Sequence, residues 1–203
     1  MASVMSSIHA NPTPTTVQLA ESIAGILIRF TVPTDKRLQR YSVENGVIPV
    51  LLNLLSISSE TAKSNAAFCL AQLSQNSFHL TGAIAPLAQV LDGNERGADE
   101  AVLSCISTLL HDETWERGCD YIIKTSGVRP IIKVLESGSL KSQDKALYIL
   151  ETVSRVESHR AEYGESAQVV LTHLAQKGDP MLKPRVDKLL AQLEQFQLQS
   201  TKY

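Results

Sequence analysis

The side chains able to attack a carbonyl or hold a metal ion are few in this chain, and their spacing favours neither chemistry. Cys69 and Cys105 stand 36 residues apart, Cys119 follows, and no CxxC pair or HxxxH pair occurs. His111, the histidine nearest to Cys119 in sequence, is eight residues from it. His9, His79, His111, His159 and His173 fall in the leader or at expected helix ends and loops, where an imidazole caps a helix or faces solvent. Glu113, Glu116, Glu157 and Glu165 cluster in the same connectors and read as solvated helix-end charges. The phosphate-binding pattern GxxxxGK(S/T), a GxGxxG after a strand, GxSxG and HExxH are all absent. The expectation is therefore no catalytic residue, no metal site and no cofactor. Cys69 and Cys105 are expected in the core, whereas Cys119, in the polar stretch WERGCDYI, is expected to be partly exposed.

The 36-residue step between two cysteines is also the step of a repeat. GVIPVLLNLL at 46–55 returns as GAIAPLAQVL at 82–91 and, more loosely, as SGVRPIIKVL at 126–135. A second landmark moves with the first: AAFCLAQL (66–73), VLSCISTL (102–109), ALYILETV (146–153) and VDKLLAQL (186–193). Leu70, Ile106, Leu150 and Leu190 follow one another at steps of 36, 44 and 40 residues. Ile48, Ile84 and Val128 keep the same first two steps, and VVLTHLA (169–175) is a degenerate fourth copy. Units of about 40 residues cannot bury an apolar face alone and must stack, as helical HEAT and armadillo arrays do. Gly46, Ala83 and Gly127 then mark turns between units, and Pro49, Pro86 and Pro130 sit in the first turn of a second helix, where a missing N–H costs little. The aliphatic run is the buried side of that helix, and the Ala- and Leu-rich segment is a longer third helix packed across it.

Composition agrees with stacked helices. Of 203 residues, 43% are hydrophobic but only 5% aromatic, so the core is built from aliphatic side chains. A net charge of −2 supplies no bulk positive field for nucleic acid or an anionic membrane. An apolar run long enough to span a bilayer is lacking, and MASVMSSIHANPTPTT has no signal-peptide block, so the expected location is the cytoplasm.

The Gly, Ile-Pro and aliphatic run followed by an Ala/Leu-rich helix resembles the armadillo repeat over about residues 17 to 195. ESIAGILIRFTVPTD (21–35) and EYGESAQVVLTHLAQKGDPMLKPRVDKLLAQLEQFQ (162–197) are further similar to the C-terminal array of plant U-box ubiquitin ligases, the senescence-associated kind. The resemblance implies an all-α, right-handed armadillo-repeat solenoid of about three full repeats with partial repeats at both ends. It also implies protein targets bound in a concave groove lined by third helices. A ubiquitin-conjugating enzyme would dock only on a U-box, which has no counterpart in these residues, so the chain is expected to be a fragment or a homologue lacking it.

In armadillo proteins the groove position is the polar residue just before the last aliphatic of the third helix, with companions four and seven residues earlier. Transferred to this chain, the rungs are Gln72, Phe68 and Asn65; Thr108, Ser104 and Ala101; Thr152, Tyr148 and Lys145; and Gln192, Lys188 and Arg185. The ladder runs from neutral with one aromatic to basic, with Gln72 and Thr152 expected to face solvent. Import adaptors of this fold carry Asn then Trp at the first two positions of a rung, and no rung here does. Trp115 is expected to pack beside an inter-repeat turn.

The resulting organisation is a flexible leader (1–14), a partial repeat (15–44) with helices at about 15–31 and 36–44, repeats at 45–80, 81–125 and 126–165, a closing repeat (166–197) and a tail (198–203). Helix VQLAESIAGILIRF is apolar on more than one side, unlike a solenoid cap, which implies further repeats upstream. Two alternatives to a ligase module stay open: a stand-alone adaptor, and peripheral attachment at the plasma membrane, which requires a local basic patch.

Overall fold

The computed structural model describes residues 13–75, 81–111 and 115–200. Its elements in chain order are α1 (Pro14–Phe30), α2 (Lys36–Glu44), α3 (Val47–Leu54), α4 (Glu60–Ser74), a single 3₁₀ turn (Thr81–Ala83), α5 (Ile84–Asp92), α6 (Asp99–Leu109), α7 (Trp115–Lys124), α8 (Val128–Ser137), α9 (Leu140–Val153), α10 (Glu157–Lys177) and α11 (Lys183–Ser200). Among the described residues there is no strand and no helix long and apolar enough to cross a membrane. Helices α3, α5 and α8 are second helices; α1, α4, α6, α9 and α11 are third helices.

Local chemistry fixes the boundaries. Thr13 caps α1 by accepting from the Thr16 N–H, Asp35 caps α2 through Leu38, Ser59 caps α4 through Ala62, and Ser139 caps α9 through Ser142. Pro49, Pro86 and Pro130 are each the third residue of a second helix, where the N–H has no partner inside the helix. The three turns differ in a way the repeat does not announce. Gly46 is left-handed at φ 80°, which glycine tolerates without strain, but Gly127 and Ala83 have ordinary helical angles. At the Gly127 turn the preceding Ser126 carries the positive φ of 56°. Gly127 serves there by size: a Cβ would sit 3.3 Å from the Ile122 carbonyl and 3.5 Å from the Ala88 methyl.

Packing forms two layers. Third helices lie side by side, α1 on α4, α4 on α6 and α6 on α9, with α4 and α6 the most extensively packed pair. Behind them α5 lies on α8, and α8 on α10. One continuous aliphatic core runs between the layers. The last unit departs from the others, because α10 is an unbroken helix running through the 165/166 boundary expected from the repeat. Only Gly164 interrupts its helix formers, and a Cβ there would meet no more than Leu193 at 3.9 Å. Helix α11 packs mainly on α10 and only lightly on α9.

Two buried polar side chains, Gln39 and His159, cross-link neighbouring elements. Gln39 donates to the Thr31 carbonyl and, at 3.1 Å, to the Gln72 carbonyl, joining α1, α2 and α4. His159 on α10 lies 2.8 Å through Nε2 from the Asp120 carboxylate on α7, so it is a buried cross-link and not the solvated helix-end group expected. His173 is exposed on α10, and His9 and His79 lie outside the described residues. Trp115 is half-buried against the core with the Arg155 guanidinium 5.7 Å from its ring.

Glu60 ties two successive third helices together. It accepts from Lys63 at 2.7 Å and from the Ala98 N–H at 2.7 Å, beside the first turn of α6. Burial opposes its charge, but the Lys63 ammonium and the Ala98 N–H outweigh it and hold the carboxyl below its ordinary value of 4.5. A carboxyl depressed in the folded state stabilises above its unfolded pKa and loses that contribution as pH falls through the folded value. Glu60→Gln is expected to cost about 1 kcal/mol at neutral pH. In urea titrations across pH the deficit should shrink toward zero below about pH 4, and a deficit that persists in acid would assign it to packing instead.

Candidate functional site

Third helices present one side chain to the outer face at every third or fourth residue, and their stacking lines these up into a surface one helix layer deep. Among the residues the sequence places there, the structure gathers Thr108, Lys145, Tyr148 and Arg185 around one open cleft of about 510 Å³. Gln75, Ser107, His111 and Asp144 complete the lining. Tyr148 hydroxyl and His111 Nδ1 are 2.9 Å apart, with ring centroids at 6.3 Å, so the α9 aromatic is braced by the end of α6. Lys145 has no ion-pair partner among the described residues.

Arg185 does not contribute the open positive charge expected of it. Its Nε and Nη2 donate to both oxygens of Glu151, at 3.2 and 2.8 Å, and its Nη1 donates to the Asp144 carboxylate and backbone carbonyl. This planar fork is the main polar tie between α11 and α9. Hydrogen bonding to Glu151, above all, raises the Arg185 pKa further. The C-terminal end of the ladder is therefore cationic through Lys145 and Lys188 only. Lys188 is exposed on α11 outside the cleft, and Gln192 is half-buried one turn beyond it. Replacing Arg185 with Ala is expected to loosen α11 and cost about 1 kcal/mol, discounted for its partial exposure. Because a lysine cannot form the fork, Arg185→Lys should recover less than half of that loss, as amide exchange along α11 would report.

The remaining rungs separate into outward and inward side chains. Phe68 stands 49% exposed on α4, with Asn65 half-buried one turn before it. Ser104 and Thr108 are half-buried, with Ser104 Oγ donating to Glu100 O and Thr108 Oγ1 to Ser104 O, so both hydroxyls are turned onto their own helix. Ala101 is half-buried against the core. Two expected solvent-facing positions are engaged in the fold. Thr152 is 2% exposed and donates to the Tyr148 carbonyl, and Gln72 accepts from Thr31 Oγ1 at 2.7 Å. Neither is a free groove contact, and substituting either would disturb packing.

The structure also adds a rung. Ala20 and Ala24 of α1 are fully buried, as are Ala62 and Ala66 of α4, 42 residues later. The same step places Ile23, Ile26 and Phe30 where Asn65, Phe68 and Gln72 stand. The outer face thus begins with exposed apolar side chains and passes through a neutral middle to the Lys145 cleft. The signal was present in the spacing of the alanines, but the landmark repeat starts one helix later.

The thiols take no part. Cys69, Cys105 and Cys119 are all fully buried, and burial pushes Cys69 up to about 11 and Cys119 up to about 12, with Cys105 raised further still. Such thiols stay protonated at neutral pH, the form that is a poor nucleophile and a poor metal ligand. The polar stretch around Cys119 misleads because its helix is amphipathic, with Gly118, Cys119 and Ile122 on the buried side.

No protein-family profile matches the chain, and no curated protein matches it significantly. Solved structures do resemble it. An engineered protein superposes with a TM-score of 0.70 at 16% identity, covering 95% of this chain and 78% of its own. A designed armadillo repeat protein in complex with the peptide (KR)4 gives 0.68 at 14% identity, covering 93% and 80%. The armadillo repeats only protein from Plasmodium falciparum gives 0.68 at 19% identity, covering 88% and 80%. At these identities the likeness establishes the fold, an all-α armadillo-repeat solenoid.

Proposed function

We propose that this armadillo-repeat solenoid is a non-catalytic protein-interaction module that holds a target segment against its third helices. The observation that carries the reading is the outer face itself. It runs from Ile26, Phe30 and Phe68 through the Tyr148 and His111 pair to Lys145 and Lys188, on helices whose opposite side is a continuous core. A rigid scaffold with exposed aromatics and unpaired cations in one line suits recognition, since large ordered side chains lose little entropy on binding. The designed protein with (KR)4 binds a basic peptide. Here Asp144 and Glu151 are occupied by Arg185, so the face favours a segment that is apolar at one end and acidic at the other.

The finer reading is that the module recognises or scaffolds targets for a U-box ubiquitin ligase. It rests on the sequence likeness in 21–35 and 162–197. In a reconstituted ubiquitination mixture lacking any U-box, this chain should produce no ubiquitin transfer, and robust transfer would overturn the assignment of catalysis to another domain. A second reading, peripheral association with anionic membrane from the cytoplasmic side, draws on Lys36, Arg37 and Arg40, all exposed along α2. Three such cations offer about 1 kcal/mol each near an anionic surface. Failure to sediment with phosphatidylserine vesicles at low salt would eliminate it.

A further inference from the structure

The outward side of α2 carries a stripe that the third helices do not supply. Arg37, Arg40, Tyr41 and Glu44 follow one another at i, i+3, i+4 and i+7, one helical face, and all four are exposed, with Lys36 beside them in the first turn. Gln39 and Ser42 are the buried residues of the same helix. Lys36, Arg37 and Arg40 have no ion-pair partner among the described residues. Asp35, the carboxylate just before them, is engaged as the helix cap by accepting from the Leu38 N–H at 2.9 Å.

Tyr41 is the wall between two hollows. On one side it joins Ile23, Ile26, Leu27, Phe30 and Val47 in lining an apolar groove of about 350 Å³. On the other it stands among Lys36, Arg37, Arg40 and Glu44 in a charged hollow of about 300 Å³. The ring is 62% exposed. Its counterpart in the array packs instead. Tyr41 and Tyr121 each stand five residues before a positive φ, at Gly46 and Ser126, yet Tyr121 is half-buried against the core. The helix of Tyr121, α7, packs on α5, α9 and α10, whereas α2 packs on α1 and α3. The groove walls are held before anything binds, because the Ser42 hydroxyl lies 3.1 Å from the Phe30 carbonyl and Gln39 bonds across to the Gln72 carbonyl.

We propose that this end of the array takes a protein segment in which a bulky apolar side chain stands next to acidic residues. The apolar side chain enters the groove, and the carboxylates cross Tyr41 to Lys36, Arg37 and Arg40. The inference rests on the reading of the array as a protein-interaction module and refines its ligand, since the apolar end of the segment is then flanked by acid. Charge complementarity selects this occupant. Three cations against Asp35 and Glu44 leave a local net charge of +1, enough to pair with one or two carboxylates. Anionic lipid and nucleic acid are held by larger clusters of cations. The apolar side chains line a concavity, which suits a single inserted side chain.

Selection of a displayed random peptide library on the full chain tests it, with residues 1–12, expected as a leader and outside the described part of the chain, included. Enriched peptides should carry Asp or Glu within about three residues of Leu, Phe or Trp, a reach of roughly 10 Å. Tyr41→Ala and Arg37→Glu/Arg40→Glu should each weaken them by about tenfold or more, and the charge reversal should matter less as salt rises. Lys-flanked versions of the same peptides should bind the charge-reversed chain better than the unmodified one, which an unfolded variant could not do. Enrichment without acidic residues, or unchanged affinity after charge reversal, overturns the proposal. So does binding to phosphatidylserine vesicles that needs Arg37 and Arg40 while no peptide is enriched, which would give these cations to lipid. Peptides weakened by Phe68→Ala and Tyr148→Ala but not by Arg37→Glu/Arg40→Glu would sink this site and leave the third-helix reading standing. The reverse pattern would uphold this site and remove the third-helix face.

Discussion

Leu70→Ala should lower the stability of the array by roughly 2 to 5 kcal/mol, the range for emptying a fully buried leucine site. Leu70 is fully buried on α4, the helix most extensively packed against its successor α6, and the helices around it can collapse into the void only by sliding against the rest of the stack. Stability in a solenoid is a sum of unit and interface contributions, so the loss should appear first as faster amide exchange in α1 to α6, with α9 to α11 following only at higher denaturant. Ser104→Ala, on the outer face with its hydroxyl turned to its own helix, should change stability by under about 0.5 kcal/mol. Equal shifts for the two variants in urea melts would mean that the inner and outer faces of the third helices have been exchanged.

Removing both outward aromatics should abolish target binding by about a hundredfold. Phe68 on α4 and Tyr148 on α9 are two helix steps apart, roughly 16 to 20 Å at ordinary interhelical distances. An extended segment of about six residues spans that gap. Truncating aromatic anchors of this kind commonly costs more than about 1 kcal/mol each, about 1.4 kcal/mol being tenfold, and sites this far apart combine nearly additively. Phe68→Ala and Tyr148→Ala should therefore each weaken a purified target by tenfold or somewhat more, and together by the product, with melting curves unchanged for Phe68→Ala. Lys145→Glu/Lys188→Glu acts differently. Exposed charges are screened over about 8 Å at physiological salt, so it should slow association and flatten its salt dependence more than it speeds release. Wild-type affinity in the aromatic double variant would rule out the outer face as the binding surface.

The fold was largely legible because its signals are redundant. A Pro in the first turn, an aliphatic i, i+3, i+4 run and an alanine-lined third helix recur together, and each has its own physical cause. Cys69 and Cys105 could be placed in the core from their spacing alone. What failed were features set by a partner that no local pattern names. Arg185 reads as an open charge until Glu151 and Asp144, 34 and 41 residues earlier, are seen beneath it. Thr152 follows the groove register yet is buried, because one residue type fits a solvent-facing turn and a self-bonded hydroxyl equally well. Helix α10 runs through an expected unit boundary because the linker contains one glycine and no proline to stop it. In the candidate site, Tyr148, Thr108 and Lys145 were found from register, while His111 and Gln75 sit at helix ends that the third-helix template does not reach.

Site-specific photocrosslinking to a purified target distinguishes a partner on the third helices from one on the second-helix layer. A photoreactive residue at Ser104, in the middle of the outer third-helix face, is expected to crosslink the target, whereas the same residue at Arg129, exposed on the second-helix layer, is expected to yield none. Crosslinks from Arg129 with none from Ser104 would place the partner on the opposite side of the solenoid and rule out binding against the third helices.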